Sequence, residues 1–217
     1  ENLYIFTNTE GTPENIRKFH PNIIVSSTGS APLLPPIAGL KDRIDNENHN
    51  IYSILGMISH INDFPKDLEG KKVVVVGGGA VGLDVVEFFA DRNADISIVE
   101  MMDQIGRDLD PVSKNDTKTM MKKHNVHQLT KTALLEVKDS SFLVRGDGEP
   151  YELPFEYGFV CLGMRAQGQL YQNLTEEFSS EDVEIINIGD SQRARRIIDG
   201  TQEGRNVLTV LEQKGYL

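Results

Sequence analysis

Six residues in the middle of the chain, Gly77-Gly78-Gly79-Ala80-Val81-Gly82, have types and spacing that could do chemistry. Gly77, Gly79 and Gly82 fall in the register G-x-G-x-x-G. A glycine at the first position permits a tight turn off a strand. At the second, the missing Cβ lets a pyrophosphate approach the backbone; at the third, it lets a helix pack close to a sheet. An anion at such a turn meets unpaired N–H groups and the positive dipole end of the following helix. Glu100 stands about 20 residues further on, where a carboxylate accepts the ribose hydroxyls of an adenosine and repels a 2′-phosphate. Met101 and Met102 follow it rather than arginine. The pattern predicts a dinucleotide site made by Gly77, Gly78, Gly79, Ala80, Val81, Gly82, Glu100 and Met101, with NAD(H) favoured over NADP(H). The competing reading is a glycine turn that holds no ligand. S-adenosylmethionine enzymes use a related turn and acidic residue, but nothing else in the sequence supports them.

A phosphate-binding turn needs a strand before it and a helix after it. Residues 73–76 are four valines without alternation, the mark of a strand covered on both faces of a parallel sheet. Residues 80 to about 92 have helical spacing, with Asp84, Glu87 and Asp91 on one side and Val81, Val85, Phe88 and Phe89 on the other. Residues 95–100 read as the next strand, so 71–100 is a βαβ unit. Asp110-Pro111 is a cap followed by proline and opens a helix to about His124. The runs 134–138, 142–145 and 151–155, separated by polar and glycine turns, read as an antiparallel meander. Residues 159–162, ending in Gly163, and 183–188, ending in Gly189-Asp190, read as buried strands. Nearer the start, 3–6 reads as a short strand and Thr12-Pro13 as the start of a helix to about Phe19. Residues 22–26 read as a strand ending in Ser27-Thr28-Gly29-Ser30, and 31–39 as an irregular proline-rich connector. Ser53 caps a helix with Ile54, Met57, Ile58 and Ile61 on one face, stopped by Pro65. A last helix runs from about Ile198 to Gln213.

Composition narrows the function. The net charge of −11 opposes a duplex-binding face, which needs clustered Lys and Arg; the local basic cluster is Arg193, Arg195 and Arg196. Apolar residues at 39%, with 19 glycines, suit a soluble globular protein. No run approaches the about 20 apolar residues of a membrane span, and no basic-then-apolar leader opens the sequence. One cysteine, Cys161, excludes an internal disulfide, a CxxC pair and a cysteine-built zinc or iron–sulfur site. It reads as a small core residue. His124 and His127 have no carboxylate motif around them and read as solvated, so no metal site is expected. The expectation is a cytoplasmic protein whose partners are small-molecule dinucleotides, with no nucleic acid and no membrane.

Taken in order, the pieces resemble the two-dinucleotide flavoproteins, the glutathione-reductase-like family. The matching segments are Ser-Thr-Gly-Ser-Ala-Pro at 27–32, an LPPIPGL-like connector at 33–40, the fingerprint at 71–100, Phe159-Val160-Cys161-Leu162-Gly163, and Ile186-Asn187-Ile188-Gly189-Asp190. Arg195-Arg196-Ile197-Ile198-Asp199-Gly200 with Glu203-Gly204 is similar to the tail of old-yellow-enzyme-type members. These include 2,4-dienoyl-CoA reductase, 2-enoate reductase, related bacterial NADH oxidases and trimethylamine dehydrogenase. Departures are Ala194 where that tail has proline, Ser191 where it often has cysteine, and Ala166-Gln167 in place of most of an "xPN" segment.

The resemblance implies an α/β protein. A Rossmann-like parallel sheet with an antiparallel β-meander would form an inserted NAD(H)-binding domain over 65–165. A partial, discontinuous FAD-binding α/β domain would comprise 1–64 and 166–217. It further implies that Asp190 bonds the ribityl or pyrophosphate part of FAD and that Gly189 allows its close approach. Thr28 and Gly29 would lie near it, Arg195 and Ile197 would flank it, and Gly163 would line the path of the nicotinamide. NADH would pass hydride to FAD, with the cofactors doing the chemistry, so no catalytic residue is expected. Electrons would go on to an N-terminal barrel carrying FMN and an iron–sulfur cluster, this chain being a portion of the longer parent. The alternative, found in trimethylamine-dehydrogenase-like relatives, is an ADP-binding module without turnover.

Overall fold

The structure, a computed structural model, describes residues 3–216. Glu1, Asn2 and Leu217, included in the expected flanking half, lie outside the described residues. The chain forms two compact units, one of Glu1–Ala31 with Met164–Leu217 and one of Pro32–Gly163. Residues 3–6, expected as a strand, join no ladder, and their side chains are exposed. An extended segment without a partner strand leaves its backbone to water. Helix α1 (Pro13–Arg17) starts as its sequence dictates, with Thr12 Oγ1 accepting from the Asn15 N–H at 3.2 Å and proline in the first turn. Strand β1 (Ile23–Ser26) follows, then β2 (Ser30–Pro32), which arises at the edge of the expected irregular connector.

The central unit opens with α2 (Leu40–Arg43), β3 (Ile51–Tyr52) and α3 (Ile54–Ser59), the last capped by Ser53. Of the apolar face expected for α3 only Met57 is buried; Ile58 and Ile61 are exposed. The helix ends at Ser59, so Ile61 leaves the face that 3.6-residue spacing would give it. Then come β4 (Lys72–Val76), α4 (Ala80–Ala90), β5 (Asp95–Val99), α5 (Pro111–Lys123) and β6 (His127–Leu129). Next are β7 (Ala133–Val137), β8 (Ser141–Arg145), β9 (Tyr151–Pro154) and β10 (Tyr157–Val160). Five strands form a parallel sheet in the order β3-β10-β4-β5-β6.

The valine run of β4 is buried on both sides, as its lack of alternation requires. Val73 and Val75, with Ile96 and Ile98, pack under Val85 and Phe89 of α4 and Met121 of α5. Val74 and Val76, with Val99, pack under Phe142 and Val144 of the antiparallel meander β7-β8-β9. Each such side chain contributes about 1.5–3 kcal/mol on leaving water. This burial holds rigid the edge from which the glycine turn departs.

The chain returns through β11 (Met164–Ala166), which pairs with β2, and through α6 (Gln169–Glu177), β12 (Glu184–Asn187) and α7 (Ile197–Gln213). Strand β12 pairs in parallel with β1, from Ile23↔Glu184 to Ser26↔Asn187. Helix α6 was not legible: its sequence is polar, and it buries Leu174 with Leu170 beside it. The core of this unit is small, centred on Ile24, Leu174 and Phe178. Residues 32–64, expected with the flanking half, pack instead in the central unit. The reason is long-range: β3 pairs with β10, and Leu40, Ile44 and Ile51 join the core beneath Val74 and Val76. No helix among the described residues is long and apolar enough to cross a membrane.

Candidate dinucleotide site

At the end of β4 the Gly77 N–H donates to the Val99 carbonyl at 2.8 Å, and the chain turns with φ +111°. A Cβ on Gly77 would stand 2.1 Å from the Cys161 carbonyl oxygen, and one on Gly82 would stand 1.9 Å from the Gly77 carbonyl oxygen. A Cβ on Gly78 would press on Glu100, 3.0 Å from Oε2. Gly77 and Gly82 are demanded by the backbone against them, while at Gly78 the Glu100 side chain would have to give by a few tenths of an ångström. Gly79 is different: its backbone is extended (φ −80°, ψ −178°), and the nearest atoms to its absent Cβ are the Asp108 carboxylate oxygens at 3.9 and 4.0 Å. Nothing in the packing requires glycine there. Gly79 is also the N-cap of α4, whose first turn is Ala80, Val81 and Gly82, and it offers no side chain to cap it.

Glu100 faces this turn, half-buried at the end of β5. Its Oε2 accepts from the Gly78 N–H at 2.6 Å and its Oε1 from the Met102 N–H at 2.7 Å. Its backbone is held too, donating to Leu129 and accepting from Thr132, both at 2.9 Å. The carboxylate is therefore pre-oriented, and each oxygen keeps a lone pair for a further donor. Gly78, Gly79 and Glu100 line a cavity of about 430 Å³ together with Met102, Gln104, Arg107 and Asp108. Met101 is exposed and is not among the lining residues; its neighbour Met102 is.

Sequence reasoning missed Gln104, Arg107 and Asp108. They arrive because the loop after β5 folds back on the turn, with the Gly106 N–H donating to the Gly78 carbonyl at 2.7 Å. The one local signal was a glycine just ahead of the Asp110-Pro111 helix start. A second cavity, about 300 Å³, lies between α4 and α5 beside Asp84, Glu87 and Asp116. Burial raises the Asp84 carboxyl above its ordinary value. Burial, and secondarily the Asp84 charge, pushes the Cys161 thiol up to about 12, so it remains a protonated core residue. No group of His, Cys, Asp and Glu that could hold a metal occurs among the described residues.

The flanking unit gathers most of the residues assigned to the flavin side. Thr28 Oγ1 donates to the Gln167 carbonyl at 2.5 Å, and the Gln167 N–H donates back to Gly29 at 2.9 Å. Asp190 accepts from Ser30 Oγ at 3.2 Å and from the Arg195 N–H at 3.0 Å. The Gly189 N–H donates to Glu203 Oε2 at 2.6 Å, and Glu203 also pairs with the Arg195 guanidinium. That pairing raises Arg195 and, with the Gly189 N–H, lowers Glu203. Glu203, read from sequence only as part of the tail, is thus the brace of this cluster. Ile197 is 90% exposed at the start of α7. Gly29 and Gly189 have φ of +75° and +67° with nothing within 4 Å of an added Cβ, and the same holds for Gly163 in the central unit at +105°. Ser26 Oγ, two residues before Thr28, is buried without a hydrogen-bond partner among the described residues.

The family model described as pyridine nucleotide-disulphide oxidoreductase matches residues 5–187. A metal reductase of Desulforamulus reducens is 26% identical over 234 residues, covering 91% of this chain and 32% of its own length. An NADH oxidase of Thermoanaerobacter brockii is 26% identical over 195 residues, covering 89% and 28%. The solved complex of 2-naphthoyl-CoA reductase with 2-naphthoyl-CoA shares the fold, with a TM-score of 0.74 at 22% identity, covering 91% of this chain and 28% of that one. The chain thus spans less than a third of the length of these relatives. The family match takes in the whole central unit and, of the flanking one, residues 5–31 and 164–187, and the chain belongs to the pyridine nucleotide-disulphide oxidoreductases, a family of FAD- and NAD(P)-dependent enzymes.

Proposed function

We propose that the central unit binds NADH in preference to NADPH and that the flanking unit supplies part of an FAD site. Together they would be the electron-input portion of a larger oxidoreductase of the NADH oxidase or enoate and dienoyl-CoA reductase type. The observation that carries the reading is Gly79, the one fingerprint glycine that packing leaves unexplained and that a pyrophosphate would explain. Glu100 supports it, since its two oriented oxygens each retain a lone pair for a ribose hydroxyl.

In this reading Gly77–Gly82 and Glu100 hold and orient NADH. Thr28, Gly29, Gly189, Asp190, Arg195 and Ile197 hold the flavin, with Glu203 bracing Gly189 and Arg195. FAD, when bound, supplies the two-electron acceptor; the protein's part is position and electrostatics. FMN and an iron–sulfur cluster would belong to a barrel elsewhere in the parent; the lone Cys161, buried and protonated, does not supply cluster ligands here.

One feature favours a second reading. Arg107 lines the same cavity as Glu100, so a 2′-phosphate would meet a cation there as well as the carboxylate. Calorimetric titration with NADH, NADPH and ADP separates the readings. NADH is expected to bind tightest. Glu100→Ala should weaken NADH roughly tenfold, about the value of a charged hydrogen bond, and bring NADPH close to it. Preference for NADPH in the native chain would overturn the Glu100 assignment, and equal binding of ADP and NADH would favour the ADP module.

A further inference from the structure

We propose that Asp108 occupies the phosphate seat of the glycine turn and competes there with an incoming pyrophosphate, so that this residue sets nucleotide affinity. The inference rests on the dinucleotide reading of the same site. Three observations lead to it. The Asp108 carboxylate oxygens lie 3.9 and 4.0 Å from the position that a Cβ on Gly79 would take, which is the space the fingerprint leaves for phosphate. The loop that carries Asp108 is tied down on either side of it. Ahead of it, the Gly106 N–H donates to the Gly78 carbonyl at 2.7 Å, and Gly106 itself has φ +65° with Leu109 and Leu83 against it. Behind it, Asp110 caps α5 through the Val112 and Ser113 N–H groups at 2.9 and 3.1 Å. The backbone therefore presents the carboxylate to the turn rather than leaving it to wander.

The third observation is charge. Asp108 and Glu100 line one cavity, and a pyrophosphate entering it brings further negative charge to the same few ångströms. Glu100 is bonded to the backbone beside it and reads as a ribose acceptor. Asp108 stands at the mouth of α4, where a carboxylate and a phosphate seek the same N–H groups and the same dipole end. Binding then requires the Asp108 side chain to rotate away, and affinity is lowered by the contact it loses and by the repulsion that remains. Adenosine, which has no phosphate, would not sense it.

The test is calorimetric titration of the native chain and of Asp108→Asn with NADH, ADP and adenosine. Asp103→Asn, in the same loop but not lining the cavity, removes the same charge as a control. Asp108→Asn is expected to tighten NADH and ADP roughly fivefold, the scale of one charge pair at about 4 Å in bulk water, and to leave adenosine unchanged. Asp103→Asn is expected to leave all three near native values. Unchanged or weaker NADH and ADP binding in Asp108→Asn would overturn the proposal while leaving the dinucleotide reading intact. Equal tightening in Asp103→Asn would overturn it in favour of a long-range charge effect. Failure of the native chain and both variants to bind any of the three would overturn the dinucleotide reading, and this proposal with it.

Discussion

Gly78 and Glu100 form one device. The N–H of Gly78 orients the carboxylate at 2.6 Å, and the missing side chain of Gly78 makes room for it. Gly82 answers to a different need, since a Cβ there would strike the Gly77 carbonyl, a backbone atom that cannot step aside. The two positions should fail differently. Gly78→Ala is expected to push the Glu100 side chain away and weaken NADH roughly tenfold with a small change in melting temperature. Gly82→Ala is expected to lower stability by about 1–3 kcal/mol, as overpacking does, and chemical denaturation would measure it. Native affinity in Gly78→Ala would show that Glu100 accommodates the methyl group without leaving its place.

Among the elements, α5 matters because its N-terminus fixes the loop that reaches the cavity. Asp110 accepts from Ser113 Oγ at 2.6 Å as well as from the two backbone N–H groups. The Ser113 hydroxyl, then its N–H, hold the Asp110 carboxyl below its ordinary value of 3.8. The folded state thus binds this proton more weakly than the unfolded chain. The cap's contribution is complete above the ordinary carboxylate range and is lost as pH falls through it toward the lower folded value. Denaturation curves should therefore show the native chain losing stability below about pH 4 more steeply than Asp110→Asn, the two converging in acid. Parallel curves would assign the acid sensitivity to other carboxylates. The α5 start was legible because its cap and proline are local signals, and the α4 start because the glycine register before it is one too. Strands β3 and β6 were not, being two or three residues long with no pattern to repeat.

At the scale of the whole molecule the two units differ in how much core each owns. The central sheet buries both faces, with Phe89, Phe142, Phe159, Ile96 and Ile98 fully enclosed. The flanking unit relies on Ile24, Leu174 and Phe178, while Val25, Ile197, Ile198 and Leu208 remain exposed. Amide hydrogen exchange should be slowest in β4 and β5 and markedly faster in β1 and β12. Leu174→Ala should cost the flanking unit about 2–5 kcal/mol and speed exchange in β1, β12 and α6 while leaving β4 protected. Loss of protection in β4 as well would mean that the units unfold as one.

The sequence by itself determined the features encoded by neighbours along the chain: the glycine register, the acidic residue closing the next strand, the unalternating valines and the helix caps. Each depends on local φ/ψ preference or on a short period, and each stands where it was expected. The tertiary structure decided what depends on segments far apart. It showed that Gly77, Gly78 and Gly82 answer to Cys161, Glu100 and Gly77, and that no close contact of the protein's own accounts for Gly79. It brought Gln104, Arg107 and Asp108 to the cavity, set Glu203 against Gly189, and drew residues 32–64 into the central unit. It also left 3–6 without a ladder, because a strand exists only where another lies beside it. None of these follows from composition or period, since a contact between distant segments leaves no repeating mark in either one.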